Sequence, residues 1–484
     1  MKTSDGDKGP HFSRRGFLQA VGVTAAGVSL AANAAGKAGA PLPETGRKKR
    51  PAVVRCAFLY PPTATLDEAG YYSWPGKSFD AEGHQRQYAG LIAEMAARLD
   101  MSVVIEDTAL DTEEQASQFI AAVKAAPPDG LLLIPFKKSH WNHVTRIVKE
   151  TGLPTVILAT LGVLLVDHIA PMHRQPGVYL ISSLDNLDAV EEGMRMISTA
   201  CWMQQARIVN IAGAKRTEST VPHLGTQVLA LPHQQFYEIY AKTEINDAVR
   251  DLARAYERHA REIVEPKKDD ILDAARAYHA LKQVVADEEA DALMMDCLPG
   301  LQHPHKHVPP CMGFMSLRDE GIPAGCQADL NPTLTMMLVQ RLFGKPGFQQ
   351  NASMETERNH YFGAHCTSPS RMHGLGTKPE PYILRSHAEA GWGCVPRVLF
   401  TPGEAVTLSQ YLSGEKPAML VYSGEIVCCP PMPPAGGCRT NIEMTINEVQ
   451  DVCDVKGMHQ VIFYGNHAKA LRAFCQLYGI EAVA

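Results

Sequence analysis

From Ala52 to about residue 340, the sequence alternates short, almost wholly apolar runs with amphipathic runs of helical length. The segments "AVVRCAFLY", "DGLLLIPF" and "DALMMDC" are typical of the first kind, and "HQRQYAGLIAEMAARLD" of the second. Strands that are apolar on both faces belong to parallel sheets that are covered by helices on both sides. The rhythm therefore predicts parallel α/β structure, and a new start at "GVYLISSLDNLDAVEE" predicts a second α/β unit.

Beyond about residue 360, glycine and proline separate strand-like runs such as "CVPRVLFT" and "PAMLVYSGEIVCC". This spacing predicts an antiparallel sheet or barrel, closed by a final helix at "HAKALRAFCQLYGI". The predicted fold class is therefore α/β, with two parallel α/β domains followed by a β-rich, barrel-like domain. The predicted boundaries are a signal peptide at 1–34, a linker at 35–52, and domains at 53–175, 176–355 and 356–484.

The N-terminus resembles a twin-arginine export signal. Arg14 and Arg15 precede an apolar run, which ends at an A-x-A cleavage signature, Ala32-Asn33-Ala34. The run is shorter than the roughly 20 residues that a membrane span needs, although an uncut N-terminal anchor is the alternative. We therefore expect a protein exported by the twin-arginine route to the periplasm or another extracytoplasmic space, with no stable membrane span after cleavage.

Composition narrows the classes of partner. The chain of 484 residues has a net charge of -6 and is 20% charged, so no basic excess points to nucleic acid. Its 12 cysteines are too dilute for a disulfide framework in a chain of this size, and no C-x-x-C pair indicates a four-cysteine zinc site. We expect a small-molecule partner.

Three histidines, His303, His305 and His307, alternate along the chain, so an extended backbone would point all three in one direction, as a zinc or copper site requires. The other interpretation is a proline-stiffened surface loop. We favour the loop, because no carboxylate or paired thiol completes the set.

Candidate catalytic and binding side chains collect in four segments near predicted strand ends. These are "CQADL", "GFQQNASMETERN", "YFGAHCTSPSRMHG" and "GMHQVIFYGNH", which carry Gln327, Asp329, Gln350, Glu355, Glu357, His365, His459 and His467. None has the spacing of a helical H-E-x-x-H zinc site. A shared site must therefore be assembled from distant segments, and a single histidine at a strand end is more often structural.

These motifs resemble the L-fucose and L-arabinose isomerase family, and the likeness extends in domain order over the whole chain after the signal. The family's (A/C/T)-E-x-D segment is matched by Cys326-Gln327-Ala328-Asp329, and its second acid, after a phenylalanine, by Gln350. Its G-A-H motif is matched at His365, and its C-terminal H-x-x-x-x-Y-G pattern at His459. The resemblance implies two Rossmann-like domains and a β-rich domain, a monosaccharide substrate and a homo-oligomer.

The resemblance also implies chemistry. Family members interconvert an aldose and a ketose through an enediol, with Mn²⁺ or another divalent cation on the sugar oxygens and a carboxylate as the proton carrier. In this sequence Gln327 and Gln350 replace both acids, and an amide cannot accept the proton and brings no charge to a cation. Asp329 or Glu355 would then serve as the base, with His365, His459, Gln327 and Gln350 as metal ligands.

Three functions stay open from the sequence. The first is an exported, metal-dependent sugar isomerase with rearranged acids. The second is a catalytically degenerate relative that binds a carbohydrate without converting it. An unrelated periplasmic binding protein with two α/β lobes ranks below both, because it leaves the β-rich C-terminal part unexplained.

Overall fold

The computed structural model describes residues 46–68, 78–160, 171–183, 186–431 and 437–484. The predicted signal peptide lies outside the described residues, as does most of the predicted linker. The described chain belongs to one compact unit, Leu42–Ala484. Among the described residues of this unit, no helix is both long and apolar enough to cross a bilayer.

The first sheet is wholly parallel, with the strand order β2-β1-β3-β4-β5. Its strands are β1 (Val53–Leu59), β2 (Ser102–Ile105), β3 (Gly130–Pro135), β4 (Thr155–Thr160) and β5 (Val178–Ser183). Every residue of the central strand β3 is buried, as the apolar run predicts. The sheet includes β5, which follows the predicted boundary at residue 175.

Four described helices connect these strands, α1 (Thr63–Glu68), α2 (Ala81–Arg98), α3 (Glu113–Ala125) and α4 (Trp141–Thr151). Local sequence sets where they begin. The α3 helix starts with a capping box, in which Thr112 and Gln115 satisfy each other's backbone N–H groups. Helix α2 starts at Asp80, whose carboxylate accepts a 2.8 Å hydrogen bond from Gly83 N.

The second sheet has the order β11-β10-β6-β8-β7 and is parallel except for its edge strand β7. Its strands are β6 (Arg207–Ile211), β7 (Thr217–Thr220), β8 (Gln227–Leu231), β10 (Ala292–Met295) and β11 (Ala324–Cys326). The helices of this part are α5 (Asp188–Gln205), α6 (His233–Lys242), α7 (Asp247–His259), α8 (Lys268–Asp287), α9 (Cys311–Asp319) and α10 (Leu330–Phe343).

The third sheet is antiparallel apart from its last strand and closes on itself, because β16 pairs with both β17 and β19. Its order is β16-β19-β12-β13-β18-β17-β20. The strands are β12 (Phe348–Glu355), β13 (His360–His365), β16 (Ala405–Leu412), β17 (Ala418–Cys428), β18 (Thr440–Met444), β19 (His459–Tyr464) and β20 (Glu481–Val483), with helix α11 (Ala468–Leu477) before β20. We call this the closed sheet.

A small sheet links the second and third parts, with the order β15-β14-β9. It joins β14 (Tyr382–Arg385) and β15 (Val395–Val398) to β9 (Ala260–Ile263), in a stretch that the sequence pattern predicts as helical apart from a break near Pro266. Together the four sheets confirm the predicted fold class, a mixed α/β chain with parallel sheets followed by a β-rich C-terminal part.

Candidate functional site

A strained turn joins the edge strand β11 to helix α10. Gln327 and Ala328 both have left-handed backbones, with φ of 57° and 50°. The turn is fixed by hydrogen bonds from Ala328 N to Met295 O (3.0 Å) and from Asp329 N to Cys326 O (3.2 Å). Non-glycine residues adopt this conformation at a cost, so consecutive ones mark a place where surrounding structure imposes the geometry.

The turn presents Asp329 as the N-cap of α10. One carboxylate oxygen accepts a 3.1 Å hydrogen bond from Asn331 N, and the other lies 2.7 Å from His459 Nδ1. The carboxylate is 30% exposed, whereas the imidazole is 7% exposed. Because a carboxylate accepts, Nδ1 carries the proton and His459 Nε2 keeps its lone pair. The structure thus brings together two predicted residues that lie 130 positions apart in the chain.

His365, the last residue of β13, lies beside this pair. Its ring centroid is 5.8 Å from that of His459. The side chain is buried, and neither ring nitrogen has a hydrogen-bond partner among the described residues. Burial lowers the pKa of His365 to about 3, and the positive charge of Arg318 acts in the same direction. The imidazole is therefore neutral, with an unused lone pair.

Two adjacent glutamines point to opposite faces of β12. Gln349 pairs in register with Val461, and its amide accepts from Cys326 N (2.9 Å) and donates to Cys326 O (3.2 Å). Gln350 lies on the interior face, where its Nε2 donates to the Tyr361 hydroxyl at 2.6 Å. It is Gln349, which the sequence did not single out, that holds the closed sheet against the turn.

Gln350 is enclosed inside the closed sheet. Its Oε1 is buried without a hydrogen-bond partner, and a Cβ on Gly363 would lie only 2.6 Å from it. The glycine of the G-A-H motif thus makes room for this amide. His459 pairs with Asn351, the next residue along β12, so the register places His459 and Gln350 on opposite faces.

Other predicted residues lie away from the Asp329–His459 pair. Glu355 ends β12, where it forms an ion pair with Arg358 at 3.1 Å. It lies five positions after Gln350, a distance of roughly 17 Å along a strand. His467 stacks on Phe343 with centroids 4.3 Å apart, and burial lowers its pKa to about 4, which fits a structural role.

The three alternating histidines do not face one way. His307 is buried, and its Nδ1 lies 2.7 Å from Val308 O. His305 packs against Trp392 with centroids 4.2 Å apart, and its Nδ1 lies 2.8 Å from Leu301 O. The segment is a loop, as we favoured, and not an extended metal-binding strand.

A cleft of about 370 Å³ borders the turn. Ala328 and Leu330, the neighbours of Asp329, contribute to its wall, although Asp329 itself does not. Its polar lining consists of Asn210, Ser219, Thr220 and Ser413. Asn210 Oδ1 is buried and has no hydrogen-bond partner among the described residues. Hydroxyl and amide groups of this kind are suited to binding a polyhydroxylated molecule.

The side chains that the resemblance assigns to Mn²⁺ do not form a manganese site in this arrangement. The four assigned ligands, two histidines and two glutamines, include no carboxylate, and the nearby carboxylate of Asp329 already accepts hydrogen bonds at both oxygens. Gln327 is exposed, whereas Gln350 is enclosed on the other face of β12. Manganese prefers octahedral coordination by several oxygen ligands, which this set does not supply.

The sequence analysis did not predict a second polar cluster, which consists of cysteines and a histidine. Donor atoms of Cys311, Cys366 and His387 all lie within 4.8 Å of one another. Cys438 Sγ is 3.7 Å from Cys366 Sγ. These residues have no regular spacing, so only the adjacency of His365 and Cys366 in the sequence could have drawn attention to them.

No protein-family model matches the chain, and a comparison with curated proteins finds no match. Among solved structures, D-threo-3-hydroxyaspartate dehydratase from Delftia sp. HT23 aligns with 88% of this chain and 85% of its own at 10% sequence identity. The TM-score is 0.11, which is too low to support any argument about fold or function. The similarity to the isomerase family therefore stays a prediction.

Proposed function

We propose that the protein binds a free monosaccharide and catalyses aldose–ketose isomerisation, with His459 as the base and Asp329 as the residue that positions it. The observation that carries this proposal is the 2.7 Å contact between His459 Nδ1 and Asp329 Oδ2. A carboxylate in that position fixes the tautomer of the ring and stabilises its charged form. His459 Nε2 is then available to accept a proton.

The chemistry needs a group that can both take and return a proton. In an aldose, the base removes the hydrogen on C2, which is weakly acidic because it lies next to the carbonyl carbon. The same group then delivers a proton to C1 of the enediol, while the hydroxyl proton moves from O2 to O1. An imidazole is suited to both steps near neutral pH, and such catalysis contributes typically 10²–10⁴-fold.

The cleft beside the turn supports a sugar as the ligand. Its four polar side chains can exchange hydrogen bonds with hydroxyl groups, and Met294 supplies an apolar surface for the C–H face of a ring. Asn210 Oδ1, buried and unpartnered, is an acceptor that a sugar hydroxyl would satisfy. The cleft reaches the turn through Ala328 and Leu330, the chain neighbours of Asp329.

A second candidate is a carbohydrate-binding protein without turnover. The enclosure of Gln350 inside the closed sheet favours it, because the second acid position cannot reach a ligand that contacts His459. This candidate shares the cleft with the first and differs only in whether proton transfer occurs.

Proton transfer can be measured without net conversion. The purified protein would be incubated in D₂O with a panel of pentoses and 6-deoxyhexoses, and exchange at C1 and C2 followed by NMR, with calorimetry for binding. We expect exchange in the wild type and its loss in Asp329→Asn and His459→Gln. Glu443→Gln is the matched control, because His360 Nδ1 lies 2.7 Å from Glu443 Oε1 in a pair remote from the turn.

The outcomes separate the two candidates. Exchange that survives in Glu443→Gln but not in Asp329→Asn supports the isomerase. Saturable sugar binding without exchange supports the second candidate and overturns the first. Absence of both binding and exchange with every sugar overturns both.

A further inference from the structure

Four chain segments that are distant in sequence bring sulfur and imidazole groups together. Cys311 begins α9, Cys366 directly follows β13, His387 follows β14, and Cys438 precedes β18. The donor atoms of the first three lie within 4.8 Å of one another, and Cys438 Sγ lies 3.7 Å from Cys366 Sγ. We call these four residues the thiol cluster. It is distinct from the Asp329–His459 pair in both residues and donor chemistry.

A buried cation next to the thiol cluster lacks a carboxylate partner. Arg318 is 1% exposed, its Nε donates to Ala324 O at 2.8 Å, and its Nη1 has no hydrogen-bond partner among the described residues. None of the described carboxylates lies within ion-pair distance of its guanidinium. Burying an uncompensated charge is costly, so the site favours an anionic neighbour. Arg318 Nη2 lies 3.9 Å from Cys326 Sγ, which is a neutral neighbour.

We propose that the thiol cluster binds one Zn²⁺ ion. Three cysteine thiolates and one histidine form a common tetrahedral ligand set for structural zinc, and thiolates select against Mg²⁺, Ca²⁺ and Mn²⁺. Bound Zn²⁺ with three thiolates has a net charge of -1, which compensates the charge of Arg318. The ion would join α9, which packs beside the second sheet, to the closed sheet through the segments after β13 and before β18.

The ligands are not equivalent. His387 Nδ1 accepts a 3.1 Å hydrogen bond from Ala390 N, so ligation through this ring needs that bond to break or the ring to change tautomer. Cys366 Sγ contacts Cys438 Sγ at 3.7 Å, a contact inside the cluster that a shared ion would replace. We therefore expect removal of the Cys366 thiol to abolish zinc binding, and removal of the His387 imidazole to weaken it by about 10- to 100-fold.

The test uses the full-length protein, reduced and reconstituted with Zn²⁺ under anaerobic conditions, then freed of excess metal. Zinc per chain is measured by elemental analysis, and Co²⁺ substitution reports thiolate ligation through its charge-transfer absorption. The variants are Cys366→Ser and Cys438→Ser, and Cys475→Ser is the matched control, because Cys475 is buried away from the cluster beside Met419.

We expect one Zn²⁺ per chain in the wild type and in Cys475→Ser, thiolate-to-cobalt absorption in both, and loss of both signals in Cys366→Ser. If Cys366→Ser does not fold, Cys438→Ser tests the same cluster through a different segment of the chain. The proposal is overturned if the reduced wild type retains no zinc, or if all variants retain the same amount. It is also overturned if mass spectrometry finds a Cys366–Cys438 disulfide that persists in thiol reductant and excludes the metal. None of these readouts depends on sugar binding or turnover.

Discussion

Gln327 and Gln350 stand at the two positions where the resemblance implies an acid, but they lie in opposite environments. Gln327 is exposed in the left-handed turn before α10. Gln350 is fully buried in the interior of the closed sheet, where it donates to Tyr361. A motif match assigns both residues one role, but the turn before α10 exposes Gln327 to water, whereas the register of β12 places Gln350 in a core. Chemistry that needs charge is therefore feasible at the turn and costly in the interior.

The two regions also differ in how their polar groups are satisfied. At the turn, Asp329 has partners for both oxygens, and solvent reaches it. In the interior, the Tyr361 hydroxyl donates to Gln460 Oε1 and accepts from Gln350, so the network is neutral and nearly complete. A neutral network of this kind specifies the packing of a core but does not bind an ion.

The largest expected effect is that of Gln350→Glu. A carboxylate there would be buried without a cation, and we expect the free energy of unfolding to fall by about 3–5 kcal/mol at pH 7. Burial would raise the folded-state pKa of the new group, so the folded state binds more protons, and the loss should shrink as pH falls towards about 4.3. Urea unfolding at several pH values measures both effects.

Gln350→Met is the control for that substitution. It keeps the side chain's size and removes only the hydrogen bond to Tyr361, so we expect a loss of about 1 kcal/mol without pH dependence. Equal stability of the Glu and Met variants at pH 7 would contradict the enclosed position of Gln350.

The second effect concerns Asp329. Asp329→Ala removes both the N-cap of α10 and the acceptor for His459. We therefore expect the free energy of unfolding to fall by about 1–2 kcal/mol. Asp329→Asn keeps a capping oxygen and should cost about half as much. Thermal unfolding of the three proteins gives the ranking, and an Asn variant less stable than the Ala variant would show that Asp329 is not the cap.

The third effect has the opposite sign. Ala328 has φ of 50°, a conformation that glycine adopts freely, so Ala328→Gly should stabilise the protein by about 0.5–1 kcal/mol. The same change at Ala93, exposed in α2, should destabilise by about 1 kcal/mol, because a helix interior disfavours glycine. Destabilisation at both positions would mean that the turn is not strained.

The sequence predicts the fold better than the site. Apolar runs such as the one that forms β3 are short and flanked by glycine and proline, which favours buried strands and predicts the parallel sheets. The strand β9 could not be predicted in this way, because its alternating charges continue the helical pattern of the residues around it. Its strand conformation depends on pairing with β14, more than 100 residues further along the chain.

Side-chain assembly depends on register, which single motifs do not contain. Two adjacent glutamines, Gln349 and Gln350, give no sequence signal of which one faces the turn. Asp329 and His459 were both predicted, but their pairing requires β19 to lie against β12 and α10 to start at the turn. The thiol cluster needs four segments at once, so no local spacing indicates it.

The smallest effect on stability is expected for Gln327→Glu, which places an acid at the exposed one of the two glutamine positions. Because Gln327 is exposed, we expect the free energy of unfolding to change by less than about 0.5 kcal/mol. The new carboxylate would lie two residues from Asp329, and an added acidic ligand should raise the affinity for Mn²⁺. Gln118→Glu is the control, since it places a carboxylate one helical turn from Glu114 on the exposed surface of α3. In a Mn²⁺ titration monitored through water-proton relaxation, we expect tighter binding for Gln327→Glu than for this control. Equal affinities would mean that the turn contributes no more to cation binding than any pair of surface acids.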